Sequence, residues 1–543
     1  MIRFFSKTIY TFFIMLALVG CGATNLVLTP VENIDDTPLK LSELTDAEKQ
    51  NWGHLDLVAD TIPGMSVDKA YEDILNNKKG KTVIVAVIDS GMDLKHEDLN
   101  DVLWTNSKEK PGDGKDNDGN GYVDDIHGYN FLGDSYNEQL EATRIVKLKL
   151  GDAATQAKAK AKVEAEYAKA VSEKQRLEQI AQTVKNADAA VKKELGKDTY
   201  TKEDLAGIKP KNEAMQQHVG VLTQMFNYAD SISELMEQLE GGITYYADQA
   251  NYNYNVDFDG RSVVGDDPYD INDTNYGNGN PQSVAEGEDH GTHVAGIIAA
   301  ERNNGLGANG VANNVELMSI RAVPNGDEYD KDIALGIRYA VDNGAKIINA
   351  SFGKSFSPNA EWVYDAIKYA AEKDVLFIHA AGNDGANLDD PSNPNFPNDQ
   401  VNNGAEISDN VITVGALGPK YGAEMVAQFS NYGDINVDVF APGGQIYSTM
   451  PDNEYDYNSG TSMAAPAVSG VAALIRSQYP KLTASQVKRI IMESGLAPKA
   501  KVILGGDTTK TAPLAEISTS GKMVNAYNAL IMAEAVSRGQ IQL

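Results

Sequence analysis

Val83-Ile84-Val85-Ala86-Val87-Ile88-Asp89-Ser90-Gly91 is an unbroken run of strand-forming apolar residues that ends on a carboxylate. A strand apolar on both faces belongs inside a covered parallel sheet, and the C-terminal ends of such strands are where open α/β sheets place their sites. Taken alone, Asp89 also suits a turn at a strand terminus. Downstream, residues 315–323, 345–352, 375–380, 411–416 and 437–440 read as further strands, alternating with helical stretches at 331–343, 359–373, 462–478 and 485–493. A capping box, Thr483-Ala484-Ser485-Gln486, heads the last helix. The alternation predicts an α/β fold, a parallel sheet between two layers of helices.

Two other stretches carry chemistry. Gly460-Thr461-Ser462-Met463-Ala464-Ala465-Pro466 runs into a small-residue apolar segment, 467–475, that reads as a helix buried on nearly every side. Ser462 therefore stands at a loop-to-helix junction, where unpaired N–H groups and the positive end of the helix dipole favour negative charge beside its oxygen. Pro466 reads as a first-turn residue that needs no backward hydrogen bond. His290-Gly291-Thr292-His293-Val294-Ala295-Gly296 opens a second helix, continuing to Ala300. Singly, the serine is a helix cap and the histidine a helix start. Together with Asp89 they supply an acid, a base and a nucleophile in the chain order Asp, His, Ser.

On Asp89-Ser90-Gly91, His290-Gly291-Thr292-His293, Gly460-Thr461-Ser462-Met463-Ala464-Ala465-Pro466 and the intervening Ala380-Ala381-Gly382-Asn383, the chain resembles the subtilisin-like serine proteases, the subtilases. The resemblance implies a subtilisin-like three-layer fold and a serine endopeptidase that cuts polypeptides through an acyl-enzyme. Ser462 is then the nucleophile, His290 the general base and Asp89 the group that fixes the imidazole tautomer. Asn383 and the Ser462 N–H are the oxyanion donors. Ser351, Phe352 and Gly353, facing Ala381 and Gly382, line edges along which peptide adds as an extended strand, with a bias to apolar or bulky residues before the cut. No organic cofactor is implied. Esterase or peptide-ligase activity shares the same intermediate. A rival reading is a surface-displayed binding or scaffold lipoprotein whose helical arm engages a partner; its signature, a missing triad member or oxyanion asparagine, is not found.

Calcium is the expected ion. Asp98 lies where the family often binds a structural calcium. From Asp116 the chain follows EF-hand-loop spacing, with Asp116, Asp118 and Asn120 at the first, third and fifth places, Gly121 at the sixth and Asp124 at the ninth, and with Asp113 just ahead. His127 stands at the twelfth place instead of Glu, which excludes a complete EF-hand. Alternating carboxylates gathered by a glycine turn repel one another without a cation; the other reading is a solvated acidic loop. A weaker acidic turn region lies at 257–268, and 303–312 resembles a family calcium loop with one extra residue.

From about 134 to 255 the texture changes to Lys, Glu, Ala and Gln. Leu177, Ile180, Val184, Ala187 and Val191 follow three-four spacing, as do Leu222, Met225, Ala229, Ile232, Met236 and Leu239. Each set reads as a seam on a long helix, giving an antiparallel helical hairpin inserted between Asp89 and His290. The hairpin is either a solvated decoration or an arm that docks a protein partner, presents substrate or shields the cleft.

The 543 residues carry 47 Lys+Arg against 77 Asp+Glu, a net charge of −30, which argues against nucleic-acid or anionic-membrane binding. Arg3 and Lys7 precede a short apolar run, too short to span a membrane comfortably and of export-signal dimensions. It ends Leu18-Val19-Gly20-Cys21, which looks like a bacterial lipobox and makes Cys21, the only cysteine, a lipidation site. The expected organisation is a lipoprotein signal peptide at 1–21, a tether at 22–50, and a catalytic domain in two parts, 51–133 and 256–543, split by the insertion at 134–255. The expected location is the bacterial cell envelope, with membrane contact only through the lipid. Little room is left before Asp89 for the prodomain many subtilases carry.

Overall fold

A computed structural model describes residue 40 and residues 42–543, apart from 77 and 286. The expected signal peptide, Cys21 and most of the expected tether lie outside the described residues. Thr45 caps a short helix, α1 (Asp46–Asn51), with a complete capping box closed by Glu48, and α2 (Val67–Ala70) follows. The central sheet contains β1 (Val83–Asp89), β2 (Gly128–Asn130), β3 (Val315–Arg321), β4 (Ile347–Ala350), β5 (Leu376–Ala380), β6 (Val411–Leu417) and β7 (Val439–Pro442). Its order is β2-β3-β1-β4-β5-β6-β7, and every pairing is parallel. The order reverses at β1, which lies between β3 and β4. Asp89, its last residue, therefore stands at the switch point where sheets of this kind open a crevice.

The period of two along β1 divides the core. Val83, Val85 and Val87 face one apolar cluster, and Ala86 and Ile88 face another. Before the sheet resumes at β3, the chain forms α3 (Glu141–Leu148), α4 (Ala153–Leu195), α5 (Lys202–Ala206), α6 (Glu213–Met225), α7 (Ile232–Asp248) and α8 (His290–Ala299). After it come α9 (Asp330–Asp342), α10 (Ala360–Glu372), α11 (Thr461–Gln478), α12 (Ala484–Ser494) and α13 (Ala526–Ser537). Helices α8, α11, α12 and α13 cover the first face, with α9 and α10 on the second. This is the mixed α/β, subtilisin-like layering expected. The expected capping box at Thr483 is present, its hydroxyl accepting from the Gln486 N–H at 3.2 Å. Two antiparallel pairs, β8 (Ile446–Met450) with β9 (Glu454–Asn458) and β10 (Lys501–Leu504) with β11 (Asp507–Pro513), were not expected. They are short, and β9 and β11 are largely polar, so period-two patterning is weak.

The segment expected as an inserted hairpin is divided into more than two helices. α4 runs 43 residues, about 64 Å, from an Asp152 cap to Gly196 in the left-handed conformation. The return path breaks where a continuous helix was expected. α6 ends at Met225, and Ser231 starts α7 by accepting from the Glu234 N–H at 3.1 Å. The seam survives the break: Val184, Ala187, Val191, Leu222, Ala229 and Leu235 form one cluster with Leu205 and Phe226.

A second correction concerns Pro466, which lies inside α11 rather than in its first turn. It cannot donate to the Ser462 carbonyl four residues back. That carbonyl instead accepts from the Ser351 hydroxyl at 2.8 Å, a donor that arrives from the end of β4.

Candidate active site

Asp89 is buried at the tip of β1. Its Oδ1 accepts from the Ser90 N–H at 2.8 Å and lies 2.7 Å from His290 Nδ1; its Oδ2 is buried without a partner among the described residues. His290 is the first residue of α8. Gly291 permits this approach, since a Cβ there would stand 2.0 Å from the Gly91 carbonyl oxygen. Burial opposes a charged imidazole, but the Asp89 charge and hydrogen bond, with Asp289 beside it, outweigh burial and raise the His290 pKa above its ordinary value. His293, one turn on, has a different environment. It is fully buried, with Nε2 3.0 Å from the Ile446 carbonyl and 3.2 Å from that of Asp456, and burial lowers its pKa to about 4.

Ser462 is the second residue of α11, so its N–H has no backward helical acceptor. Its hydroxyl donates to the Ser351 carbonyl at 3.1 Å, and no hydrogen bond joins it to His290 among the described residues. Ser462, His290, Asp89 and Asn383 nonetheless line one cleft of about 510 Å³. Hydrogen bonds of this kind are often long or misaligned in an empty site and tighten when substrate is held.

The Asn383 amide has a defined orientation. Its Oδ1 accepts from the Thr461 N–H at 2.9 Å and the Thr461 hydroxyl at 3.0 Å, and that hydroxyl accepts from the Gly382 N–H at 2.9 Å. Two donors on the oxygen leave Nδ2 as the free end in the cleft, a hydrogen-bond donor near the Ser462 N–H.

Ser351, Phe352, Gly353 and Gly382 line the cleft as expected of its edges. Ala381 does not: it is wholly buried, its carbonyl held by the Asn395 amide at 3.0 Å and the Asn431 amide at 2.9 Å, and Ala380 takes its place on the wall. Asn395, which no motif marks, sits between the two edges; a Cβ on Gly353 would meet its Oδ1 at 2.5 Å. His379 is a further contributor. Buried and neutral, with its pKa lowered by burial to about 4, it bonds the Phe352 carbonyl through Nε2 at 2.8 Å and so steadies that edge.

The acidic loop is only partly gathered. Carboxylate oxygens of Asp116, Asp118 and the unexpected Glu109 lie within 4.8 Å of one another. Glu109 Oε1 accepts from the Asn117 and Asp118 N–H groups, whereas its Oε2 is buried with no partner among the described residues. An orphaned buried carboxylate oxygen facing two further carboxylates fits a hard divalent cation. The N–H groups of Gly121, Gly119 and Asn120 hold the Asp116 carboxyl below its usual range. Asp124 is used otherwise, accepting from the Asp113 and Gly114 N–H groups; Asp113 accepts from the Lys115 N–H; and the Asn120 amide donates to Asp125. Asp98 is not part of that group; its oxygens accept from the Asn304 amide at 2.6 Å and the Ala308 N–H at 3.2 Å, which sets it against the 303–312 loop.

Comparison with known proteins identifies the family. A family model described as "Subtilase family" matches residues 80–512. "Thermophilic serine proteinase" from Bacillus sp. (strain AK1) is 41% identical over 224 residues, covering 41% of this chain and 49% of that protein. "Cell wall-associated protease" from Bacillus subtilis (strain 168) is 35% identical over 272 residues, 49% of this chain and 28% of that protein. "Thermitase" from Thermoactinomyces vulgaris is 38% identical over 200 residues, 37% of this chain and 65% of that protein. The matched part of the chain thus spans about half the length of the first of these relatives.

Proposed function

The chain belongs to the subtilase family, and from that membership we propose that it is a serine endopeptidase acting on polypeptides through Asp89, His290 and Ser462. The observation that carries the reading is the 2.7 Å contact between Asp89 Oδ1 and His290 Nδ1, inside the cleft that Ser462 and Asn383 also line. A peptide carbonyl held between the edges is attacked by Ser462 Oγ. His290 Nε2 takes the hydroxyl proton and later delivers it to the leaving amine, while Asp89 keeps the proton on Nδ1 and stabilises the imidazolium. The Asn383 Nδ2 and the Ser462 N–H bear the oxyanion. Water then cleaves the acyl-enzyme by the same proton path in reverse.

Glu109, Asp116 and Asp118 would hold a structural calcium ion, which supplies the positive charge these converging carboxylates lack. The division into a two-part catalytic domain, 51–133 and 256–543, around an insertion at 134–255 is part of the same reading. So is export as a lipoprotein anchored through Cys21. Among the described residues no helix is long and apolar enough to cross a membrane.

The test is digestion of casein and of a random peptide library by the purified protein, with calcium, beside Ser462→Ala. Internal cleavage by the first and none by the second is expected. An intact library with a folded protein overturns the reading.

A further inference from the structure

The root of the insertion is not a solvated decoration, because it forms part of the cleft. Leu140, Ala142 and Lys162 line the same hollow as Asp89, His290 and Ser462. α4 docks through Ala159 and Val163 in an apolar cluster that includes Phe356. Two of its lysines then reach across the two cleft walls. Lys162 Nζ donates to Ser355 Oγ at 3.0 Å, and Lys158 Nζ reaches the Ser392 carbonyl at 3.5 Å. Both ammonium groups stand over the Phe356 ring, 5.9 and 5.8 Å from its centre. A second hollow of about 250 Å³, lined by both lysines, shares Ser355, Phe356, Asp384 and Pro394 with the main cleft.

These two lysines differ from the buried cations around them. Lys354 lies 2.9 Å from Glu141 and 2.8 Å from Asp330, and Arg321 is paired with Glu288. Among the described residues, neither Lys158 nor Lys162 has a carboxylate at ion-pair distance. The acids lining the cleft are otherwise engaged. Asp89 faces His290, and Asp327 accepts from the Glu141 N–H at 2.8 Å. Burial drives Glu328 up to about 8, so it is largely uncharged at neutral pH. Asp384, exposed on the opposite wall with the Asn431 amide at 3.4 Å, offsets one of the two positive charges. The remaining charge of the molecule, −30 in total, is screened beyond about 8 Å at physiological salt. The field felt by a bound peptide here is therefore set by the nearby lysines.

Resting on the endopeptidase reading, we propose that Lys162, supported by Lys158, forms a subsite for a carboxylate side chain of the substrate, on the acyl side of the scissile bond. The ammonium group of Lys162 has three donors and gives one to Ser355, leaving two for an incoming Asp or Glu. The acyl side is taken from the endopeptidase reading, in which the edge of Ser351, Phe352 and Gly353, continued by Ser355 and Phe356 along the same cleft, receives peptide before the cut. The insertion thus acts as a specificity element of the cleft.

The experiment uses fluorogenic peptides differing only by Glu or Gln at each of the four positions before the cut, assayed with the wild type, Lys162→Gln, Lys162→Arg and the double variant Lys158→Gln/Lys162→Gln. At one position the wild type should favour Glu over Gln by about five- to tenfold in kcat/KM at low salt, with the ratio shrinking as salt is raised. The ratio should approach one in Lys162→Gln and the double variant, and persist in Lys162→Arg. A wild-type ratio near one at all four positions, or a Glu preference unchanged in the double variant, overturns the subsite. Failure of the endopeptidase reading is a separate result, in which the wild type cleaves neither the Glu nor the Gln peptides.

Discussion

Ser351 and Ser462 exchange two hydrogen bonds: the Ser351 hydroxyl donates to the Ser462 carbonyl at 2.8 Å, and the Ser462 hydroxyl donates to the Ser351 carbonyl at 3.1 Å. The first bond exists because Pro466 withholds the helical N–H that carbonyl would otherwise receive. It ties the end of β4 to the first turn of α11, and Asn349 extends the tie by donating to Ser351 Oγ at 2.9 Å and accepting from Ser469 Oγ at 2.9 Å.

Ser351→Ala should leave the Ser462 carbonyl unsatisfied, costing about 1–3 kcal/mol of stability. In a Pro466→Ala background a backbone N–H becomes available to that carbonyl, so the same change should cost less. Denaturant unfolding of the four proteins of this cycle measures the coupling, and additive effects would show that the two residues do not serve one carbonyl.

Because Asp89 raises the His290 pKa, the neutral base is lost as pH falls through a value above the ordinary ~6.5. The acid limb of kcat/KM should therefore have its midpoint above about 6.5. Asp89→Asn removes the raising charge and misdirects the tautomer, so turnover should fall by orders of magnitude, as at comparable triads (~10⁴). A pH–rate profile of the two proteins checks both.

Asn383→Ala should lower kcat by about 10²–10³ with a much smaller change in KM, since Nδ2 meets charge that develops only after attack. Steady-state kinetics on one peptide separate the two parameters.

His379 should make the protein less stable in acid. Its folded pKa of about 4 lies below the unfolded ~6.5, so its contribution is whole above about pH 6.5 and is lost as pH falls toward 4. Glu328, raised to about 8 by burial, and Asp399, raised to about 7 by burial and by Asp438, act in the opposite sense. The readout is therefore the difference in unfolding free energy between wild type and His379→Asn, which should narrow by a few kcal/mol between pH 7 and 4.

Calcium should raise the melting temperature of the wild type, by the equivalent of about 2.7 kcal/mol at a hundredfold excess over Kd. Glu109→Gln should lose most of that gain while EDTA-treated wild type and variant melt alike. Calorimetry with and without the ion distinguishes this from a solvated acidic loop.

The strand ending at Asp89 and the helices starting near His290 and Ser462 were legible because each couples a long apolar period to a short chemical motif, and local pattern decides both. What was illegible depends on partners far away in the chain. Glu109 joins Asp116 and Asp118 only when the loop folds back, and nothing in its spacing marks it. Lys158 and Lys162 read as solvated helix-surface charges until α4 docks on Phe356. Pro466 was placed one turn too early because the compensating donor, Ser351, comes from another strand. The interruption of the insertion between Met225 and Ile232 rests on the Ser231 cap, a local cue masked by the apolar spacing that runs across it.

The most direct measurement is the site of attachment of a serine-directed fluorophosphonate, located by peptide mass spectrometry in the folded wild type and in His290→Ala. One adduct per chain on Ser462, strongly reduced without the imidazole, is the predicted result. A folded wild type that takes up no reagent at Ser462, or labels there equally fast in His290→Ala, contradicts the convergence of Asp89, His290 and Ser462 into one reacting unit.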